Sequence, residues 1–234
     1  MSIDFNSLNE KYKLSHHSSK IIHNYLLWLS KNINLKNKKV LDVGGGSGLI
    51  SYFSFSQGAE KVINLEPFSS GSREHKRIKS NLVELVELSF QEFESKDKFD
   101  VIFFHDSINH IDENKFLDLH VNQENYDHYV KLISKINSIC SKNCDIIVSD
   151  CSRYNFFQLL GLRSPFAPSI GWKYHQSTKI VNKLFNDAGF EKISVRWSPL
   201  KRLGRMGYII SFFGAPVAYF FQSHYVIHFK PKKR

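Results

Sequence analysis

Hydrophobic and polar positions along the chain follow two alternating periods. Short apolar runs at 40–43, 61–65, 85–88, 99–104, 145–150, 192–197 and 225–229 have the length and the β-branched or aromatic content of strands. Between them the apolar residues recur at helical spacing. Over 18–33 they are Ile21, Ile22, Tyr25, Leu26, Leu27 and Leu29. Further helices are expected over 49–57, closed by Gly58, over 126–140, and over 177–187, closed by Ala188 and Gly189. A more polar helix is expected over 72–81. The run at 99–104 is apolar on both faces, as a central parallel strand requires. Residues 1–15 read as a loose lead-in. Strand and helix alternate from residue 38 almost to the end without internal repeats, which predicts an α/β fold built on a doubly wound, mostly parallel sheet of seven strands. One domain over 1–234 is expected, with a helical lead-in at 1–37, the sheet core at 38–151, and two apolar insertions at 152–171 and 198–221.

Composition narrows the class. Of 234 residues 42% are hydrophobic and 23% charged, which suits a folded chain. The net charge of +10 is concentrated at one end: residues 192–234 hold nine Lys or Arg and no Asp or Glu, so residues 1–191 are close to neutral. That basic fifth suits an anionic substrate, an acidic membrane surface or a nucleic acid, and charge alone does not choose among them. Cys140, Cys144 and Cys151 are odd in number and match no zinc spacing, so they read as reduced thiols of a cytoplasmic protein, with no metal site. The polar start resembles no targeting segment, and no apolar run reaches the 18 residues of a spanning helix.

The chemistry centres on Val40-Leu41-Asp42-Val43-Gly44-Gly45-Gly46-Ser47-Gly48. A strand enters a glycine-dense turn, and a helix opens just beyond it with unpaired N–H groups directed at the turn. This is a cradle for a nucleotide-type cofactor. A dinucleotide fold would place its third glycine at Leu49, but this chain has Gly48 and an acidic residue, Asp42, two places before Gly44. The acidic-x-G-x-G-x-G pattern resembles the class I S-adenosylmethionine-dependent methyltransferases, and further landmarks in the family's order extend the resemblance from about Lys38 to Phe229.

The resemblance implies S-adenosylmethionine as cofactor, S-adenosylhomocysteine as product, and Asp42, Gly44, Gly45, Gly46 and Gly48 as its cradle. Glu66, 18 residues after Gly48, would accept from the ribose hydroxyls, with Pro67 beside it and Phe68 as the nearest aromatic for the adenine face. Ser89 and Phe90 stand where the family has an acidic-Ala pair at the adenine edge. Phe99-Asp100-Val101-Ile102 resembles the family's strand before the methionine site, and His105 follows it.

A methyl on a sulfonium is already activated, so the chain must mainly place the acceptor in line and, for an oxygen acceptor, remove a proton. His110, Asp106 and His175 are the candidate catalytic groups. Each also has a plain structural reading, as a turn cap, a lining residue or a helix-entry histidine. Arg153 can clamp a carboxylate or phosphate, or pair with Asp150. Tyr154 and Trp172 are acceptor-side candidates, and His16 and His17 could close over the cofactor. Lys201, Arg202 and Arg205 beside the apolar stretch 208–216 suit a lid, a peripheral membrane contact through 201–221, or a homodimer contact. The expected activity is O-methylation of a small, anionic acceptor such as a sugar, nucleotide-sugar, phosphate or carboxylate compound. A nucleic-acid methyltransferase is the alternative. It is disfavoured because strand four runs into His105-Asp106-Ser107-Ile108-Asn109-His110 rather than the Asn/Asp-Pro-Pro-aromatic signature used on base amines.

Overall fold

The computed structural model describes residues 4–15, 17–67, 69–78, 81–198 and 214–233. In chain order the elements are α1 (Phe5–Tyr12), α2 (Ser19–Leu29), β1 (Lys39–Val43), α3 (Leu49–Ser56), β2 (Lys61–Leu65), α4 (Ser70–Arg77), β3 (Glu84–Val86) and β4 (Phe99–His105). They continue with α5 (Glu113–Leu117), α6 (Gln123–Ser134), α7 (Ile136–Ile139), β5 (Cys140–Cys151), α8 (Phe156–Leu159), α9 (Thr178–Asp187), β6 (Phe190–Trp197), α10 (Ala215–Phe220) and β7 (His224–Pro231). Seven strands form one sheet in the order β3–β2–β1–β4–β5–β7–β6. β1 pairs in parallel with β2 and β4, and β2 in parallel with β3. β6 and β7 are antiparallel, with a bulge between Lys192 and Ser194. The doubly wound, mostly parallel expectation holds, and all seven strands fall on the apolar runs.

The chain divides into two compact units, one of Met1–Ser107 with Ser138–Ile147, the other of Ile108–Asn137 with Val148–Arg234. In the first, Val40, Leu41, Val62, Val101, Ile102, Phe103 and Phe104 are buried almost completely, so β1, β2 and β4 form the hydrophobic centre. The residues expected to be a loose lead-in include helix α1. Asp4 caps it, accepting from Asn6 N–H at 3.3 Å and Ser7 N–H at 3.1 Å. Phe5 is buried and meets Phe53 of α3 edge-on, with ring centroids 5.6 Å apart. The helix expected to run to residue 33 ends at Leu29, where Ser30 Oγ bonds back to Leu26 O at 2.8 Å. α4 begins two residues earlier than expected because Ser69 and Ser72 form a reciprocal capping box.

In the second unit Phe185 of α9 stacks on Phe229 of β7 at 4.4 Å and 12°, fixing the helix over the antiparallel pair. The single helix expected over 126–140 is instead α6 and α7. α6 starts three residues earlier, where Asn122 accepts from Asn125 N–H at 3.0 Å, and the chain enters β5 already at Cys140. Of the second expected insertion, 199–213 lies outside the described residues, including Lys201, Arg202 and Arg205. Its end is helix α10, with Pro216 in the first turn, where the missing N–H costs nothing. Among the described residues no helix is long and apolar enough to cross a membrane.

Candidate functional site

The glycine stretch lies in the first unit, between β1 and α3. Gly44 N–H donates to Leu65 O at 2.7 Å, tying the turn to the end of β2. Gly45 has no room for a side chain: a Cβ there would lie 2.4 Å from both Asn64 Oδ1 and Asp42 Oδ2. Gly48, the residue before α3, has φ +92°, and a Cβ would meet His75 Nδ1 at 2.8 Å. A Cβ on Gly46 would meet nothing within 4 Å, so the turn presents its open side there. Asp42 is buried at the end of β1. Its Oδ2 accepts from Ser51 Oγ at 2.7 Å, and its Oδ1 has no hydrogen-bond partner among the described residues. Burial, against the opposing Ser51 hydrogen bonds, pushes this carboxyl up to about 7.

Glu66 follows β2 and is half-buried. Its Oε2 accepts from Gly46 N–H at 3.0 Å and its Oε1 from Ser69 Oγ at 2.6 Å. A carboxylate has about four acceptor positions, so both oxygens retain capacity for vicinal hydroxyls. The next peptide group of the turn is held as well, because Asn64 Nδ2 donates to Gly46 O at 3.0 Å. Asn64 also reaches His75 Nδ1 at 2.9 Å, and His75 stacks on Tyr52 with centroids 5.4 Å apart. Burial lowers the His75 pKa, against a hydrogen bond to the Val83 backbone. His75 is therefore neutral, accepting at Nδ1. An orphaned buried carboxylate oxygen, a turn with one open side and an oriented carboxylate two residues after Asn64 suit an adenosylated cofactor. Asp42, the turn and Glu66 are the residues that would hold it.

The remaining first-unit candidates are placed as follows. His105 Nε2 lies 3.1 Å from the hydroxyl of buried Tyr25 in α2, and its Nδ1 lies 3.7 Å from Asp106 Oδ2. Asp106 is exposed with φ +51°, the backbone of a turn just past β4. Ser89 Oγ donates to Glu92 Oε2 at 2.6 Å, and Phe90 is buried edge-on against Phe104 at 5.6 Å. Pro67 is exposed beside Glu66. Phe68 and His16 lie outside the described residues.

In the second unit two chain segments face each other, 150–153 at the end of β5 and 172–176 before α9. Asp150 is fully buried, and its Oδ1 sits 2.8 Å from His175 Nδ1 while also accepting Cys151 N–H at 2.7 Å. The pair holds His175 in the tautomer with the proton on Nδ1, which makes Nε2 the basic nitrogen. Arg153 Nη1 lies 2.6 Å from His120 Nδ1 and 3.4 Å from both Leu117 O and Gln176 Oε1. Gln176, fully buried, donates Nε2 to Phe116 O at 2.6 Å and Leu117 O at 2.9 Å. Trp172 is buried with Cys151, Ala167 and Ile170, the position of an anchor, and Tyr154 is exposed. His110 is on the surface, its side chain 63% exposed and 3.6 Å from Glu113. Asn64, His75, Tyr25 and Gln176 were not singled out from the sequence. For Asn64, its place two residues before Glu66 on an otherwise apolar strand was the available signal, since a buried amide needs partners.

Residues 14–195 match the family model described as a methyltransferase domain. Among curated proteins, the histone-arginine methyltransferase CARMER of Drosophila ananassae is 35% identical over 78 residues, 32% of this chain. The chain spans about 15% of that relative's length. Among solved structures, a putative S-adenosylmethionine-dependent methyltransferase from Listeria monocytogenes superposes with TM-score 0.63 at 15% identity, covering 92% of this chain and 99% of that one. The 1,6-didemethyltoxoflavin-N1-methyltransferase of Burkholderia thailandensis, solved with bound 1,6-didemethyltoxoflavin and S-adenosylhomocysteine, superposes with TM-score 0.56 at 14% identity, over 92% of this chain and 79% of that one. With the family model matched over most of its length and this sheet order, the chain belongs to the methyltransferase-domain family and has the fold of class I S-adenosylmethionine-dependent methyltransferases.

Proposed function

We propose that this chain, acting as one methyltransferase domain in the cytoplasm, transfers a methyl group from S-adenosylmethionine to an oxygen of a small, anionic acceptor. When bound, the cofactor supplies a methyl group already activated by its sulfonium. Asp42, the turn Gly44–Gly48 and Glu66 hold it, Glu66 through the ribose hydroxyls. The acceptor hydroxyl gives its proton to His175 Nε2 as its oxygen becomes nucleophilic, and Asp150 stabilises the imidazolium that results.

The observation that carries this reading is a set of three carboxylates with separate tasks, of which Asp42 and Asp150 are buried. Asp42 and Glu66 frame the glycine turn, and Asp150 orients His175. An imidazole base answers the high pKa of a hydroxyl. A thioether or an already neutral amine, by contrast, offers its lone pair without first losing a proton. The basic character of the C-terminal fifth and the lack of any Asp or Glu from 152 to 186 favour an acceptor that carries negative charge.

The test is calorimetric titration with S-adenosylhomocysteine, followed by incubation with labelled S-adenosylmethionine and a panel of hydroxylated carboxylates, sugar phosphates and nucleotide-sugars. Micromolar-range product binding and methyl ether formation are expected. Absence of any S-adenosylhomocysteine binding would overturn the proposal.

A further inference from the structure

Arg153 is held at only one of its three guanidinium nitrogens. All its hydrogen bonds among the described residues run through Nη1, to His120, Leu117 O and Gln176 Oε1. Of the two longer ones, both 3.4 Å, Leu117 O already receives Gln176 Nε2 at 2.9 Å, while Gln176 Oε1 draws on Arg153 among the described residues. A tether of the α5 end would not need a guanidinium. What the arrangement does achieve is orientation. His120, whose Nδ1 must accept at 2.6 Å, and buried Gln176 fix one corner of a planar fork. The Nε and Nη2 edge is left with no protein acceptor among the described residues. That edge presents two parallel N–H donors, the geometry that fits two oxygens of one oxyanion.

The same two segments carry the base. His175 is extended, with φ −110° and ψ 169°, so His175 and Gln176 project to opposite sides. One turns to Asp150 and the other to Arg153. Asp150, the nearest carboxylate along the chain, is committed to His175 and Cys151 N–H at its Oδ1. No further Asp or Glu occurs until Asp187.

We infer that Arg153 is the specificity-determining residue of the acceptor site, its free edge taking two oxygens of a carboxylate or phosphate on an arm of the acceptor that lies to the Gln176 side. This rests on the methyltransferase reading above and adds to it which group of the acceptor is recognised and by what geometry. The site discriminates against uncharged analogues and esters of the same acceptor.

Ligand-observed NMR of the full chain with inorganic phosphate and with benzoate, at constant ionic strength set by chloride, tests the clamp directly. The wild type is expected to bind at least one of the two, and which one names the phosphate or carboxylate source. Arg153→Gln and Arg153→Lys should each weaken that binding about tenfold or more, because the lysine keeps the charge and loses the fork. Their S-adenosylhomocysteine affinity should stay within about twofold of wild type. The inference is overturned if the wild type binds neither probe, or if either variant binds as well as wild type. Arg153→Lys keeps the test decisive should Arg153→Gln melt early. Loss of S-adenosylhomocysteine binding in the wild type itself would instead remove the methyltransferase reading, a separate readout.

Discussion

Replacing Asn64 by alanine removes the support that β2 gives the glycine turn. Asn64 is fully buried, and its Nδ2 serves Gly46 O at 3.0 Å and His75 Nδ1 at 2.9 Å. Two hydrogen bonds at about 1 kcal/mol each are lost, and the stranded His75 acceptor adds about 1 kcal/mol or more, because its neighbourhood is too dry to resolvate it. The expected total is roughly 3 kcal/mol. For a chain of this size that lowers the melting temperature by roughly 6–12 °C. Asn64→Leu keeps the volume and isolates the polar contribution, so most of the loss should persist in it. The second readout is donor-site affinity. Gly46 is held at its N–H by Glu66 and at its C=O by Asn64, and freeing one side should weaken S-adenosylhomocysteine binding about tenfold, the equivalent of one net hydrogen bond. Thermal unfolding by circular dichroism, with and without S-adenosylhomocysteine, measures both. Melting within about 1 °C of wild type with unchanged affinity would refute the brace.

Gly45→Ala forces a Cβ to within 2.4 Å of two buried oxygens, so a loss of about 1–3 kcal/mol is expected in urea unfolding; a neutral result would mean that Asp42 and Asn64 can move apart freely. Asp150→Asn takes the carboxylate from His175, and kcat should fall about 10²-fold or more with S-adenosylhomocysteine affinity unchanged; an unaltered kcat would remove His175 from the base role. His75 is held neutral, its pKa below the ordinary 6.5, so the unfolded chain binds more protons than the folded one as pH falls through 6.5. Its contribution is therefore complete above about pH 6.5 and is lost on acidification, so melting temperatures of wild type and His75→Gln should converge toward pH 5; parallel curves would contradict the assignment.

The sheet was legible in the sequence because burial on both faces leaves β1, β2 and β4 almost without polar interruption, a signal that is local along the chain. The turn was legible for a similar reason, since Asp42 and its glycines act within seven residues of one another. What escaped was whatever depends on contacts distant in sequence. Helix α1 buries only Phe5, Leu8 and Asn9 in eight residues, too few to establish a period, and it is fixed by Phe53 from α3. Tyr25 looked like one apolar position of α2, yet its hydroxyl reaches His105, 80 residues on. Gln176 had no pattern at all to distinguish it. Its role comes from meeting the open carbonyls at the end of α5, about 60 residues earlier in the chain.

Two histidines, His110 and His175, competed for the catalytic role in the sequence, and burial separates them from each other and from His105 beside the cofactor turn. His110 pairs with Glu113 across a surface where both side chains are at least half exposed. Solvent and salt screen such a pair, which is worth about 0–1 kcal/mol, too little to hold a ring or a tautomer against thermal motion. His105 meets the neutral Tyr25 hydroxyl at Nε2, and at Nδ1 only half-exposed Asp106 at 3.7 Å, a longer pair that solvent screens. His175 differs from both, because its partner Asp150 is completely removed from water and the pair is short, at 2.8 Å. A carboxyl group in that position cannot turn to solvent, so it holds the ring at Nδ1 and leaves Nε2 as the nitrogen not engaged by Asp150. His175 itself is 15% exposed, enough for a small molecule to reach and little enough for the field of Asp150 to persist. The sequence spacing of 25 residues between Asp150 and His175 conceals this pairing. Strand β5 brings Asp150 to its end, and the anchor of Trp172 on Cys151 and Ala167 brings the second segment back to it.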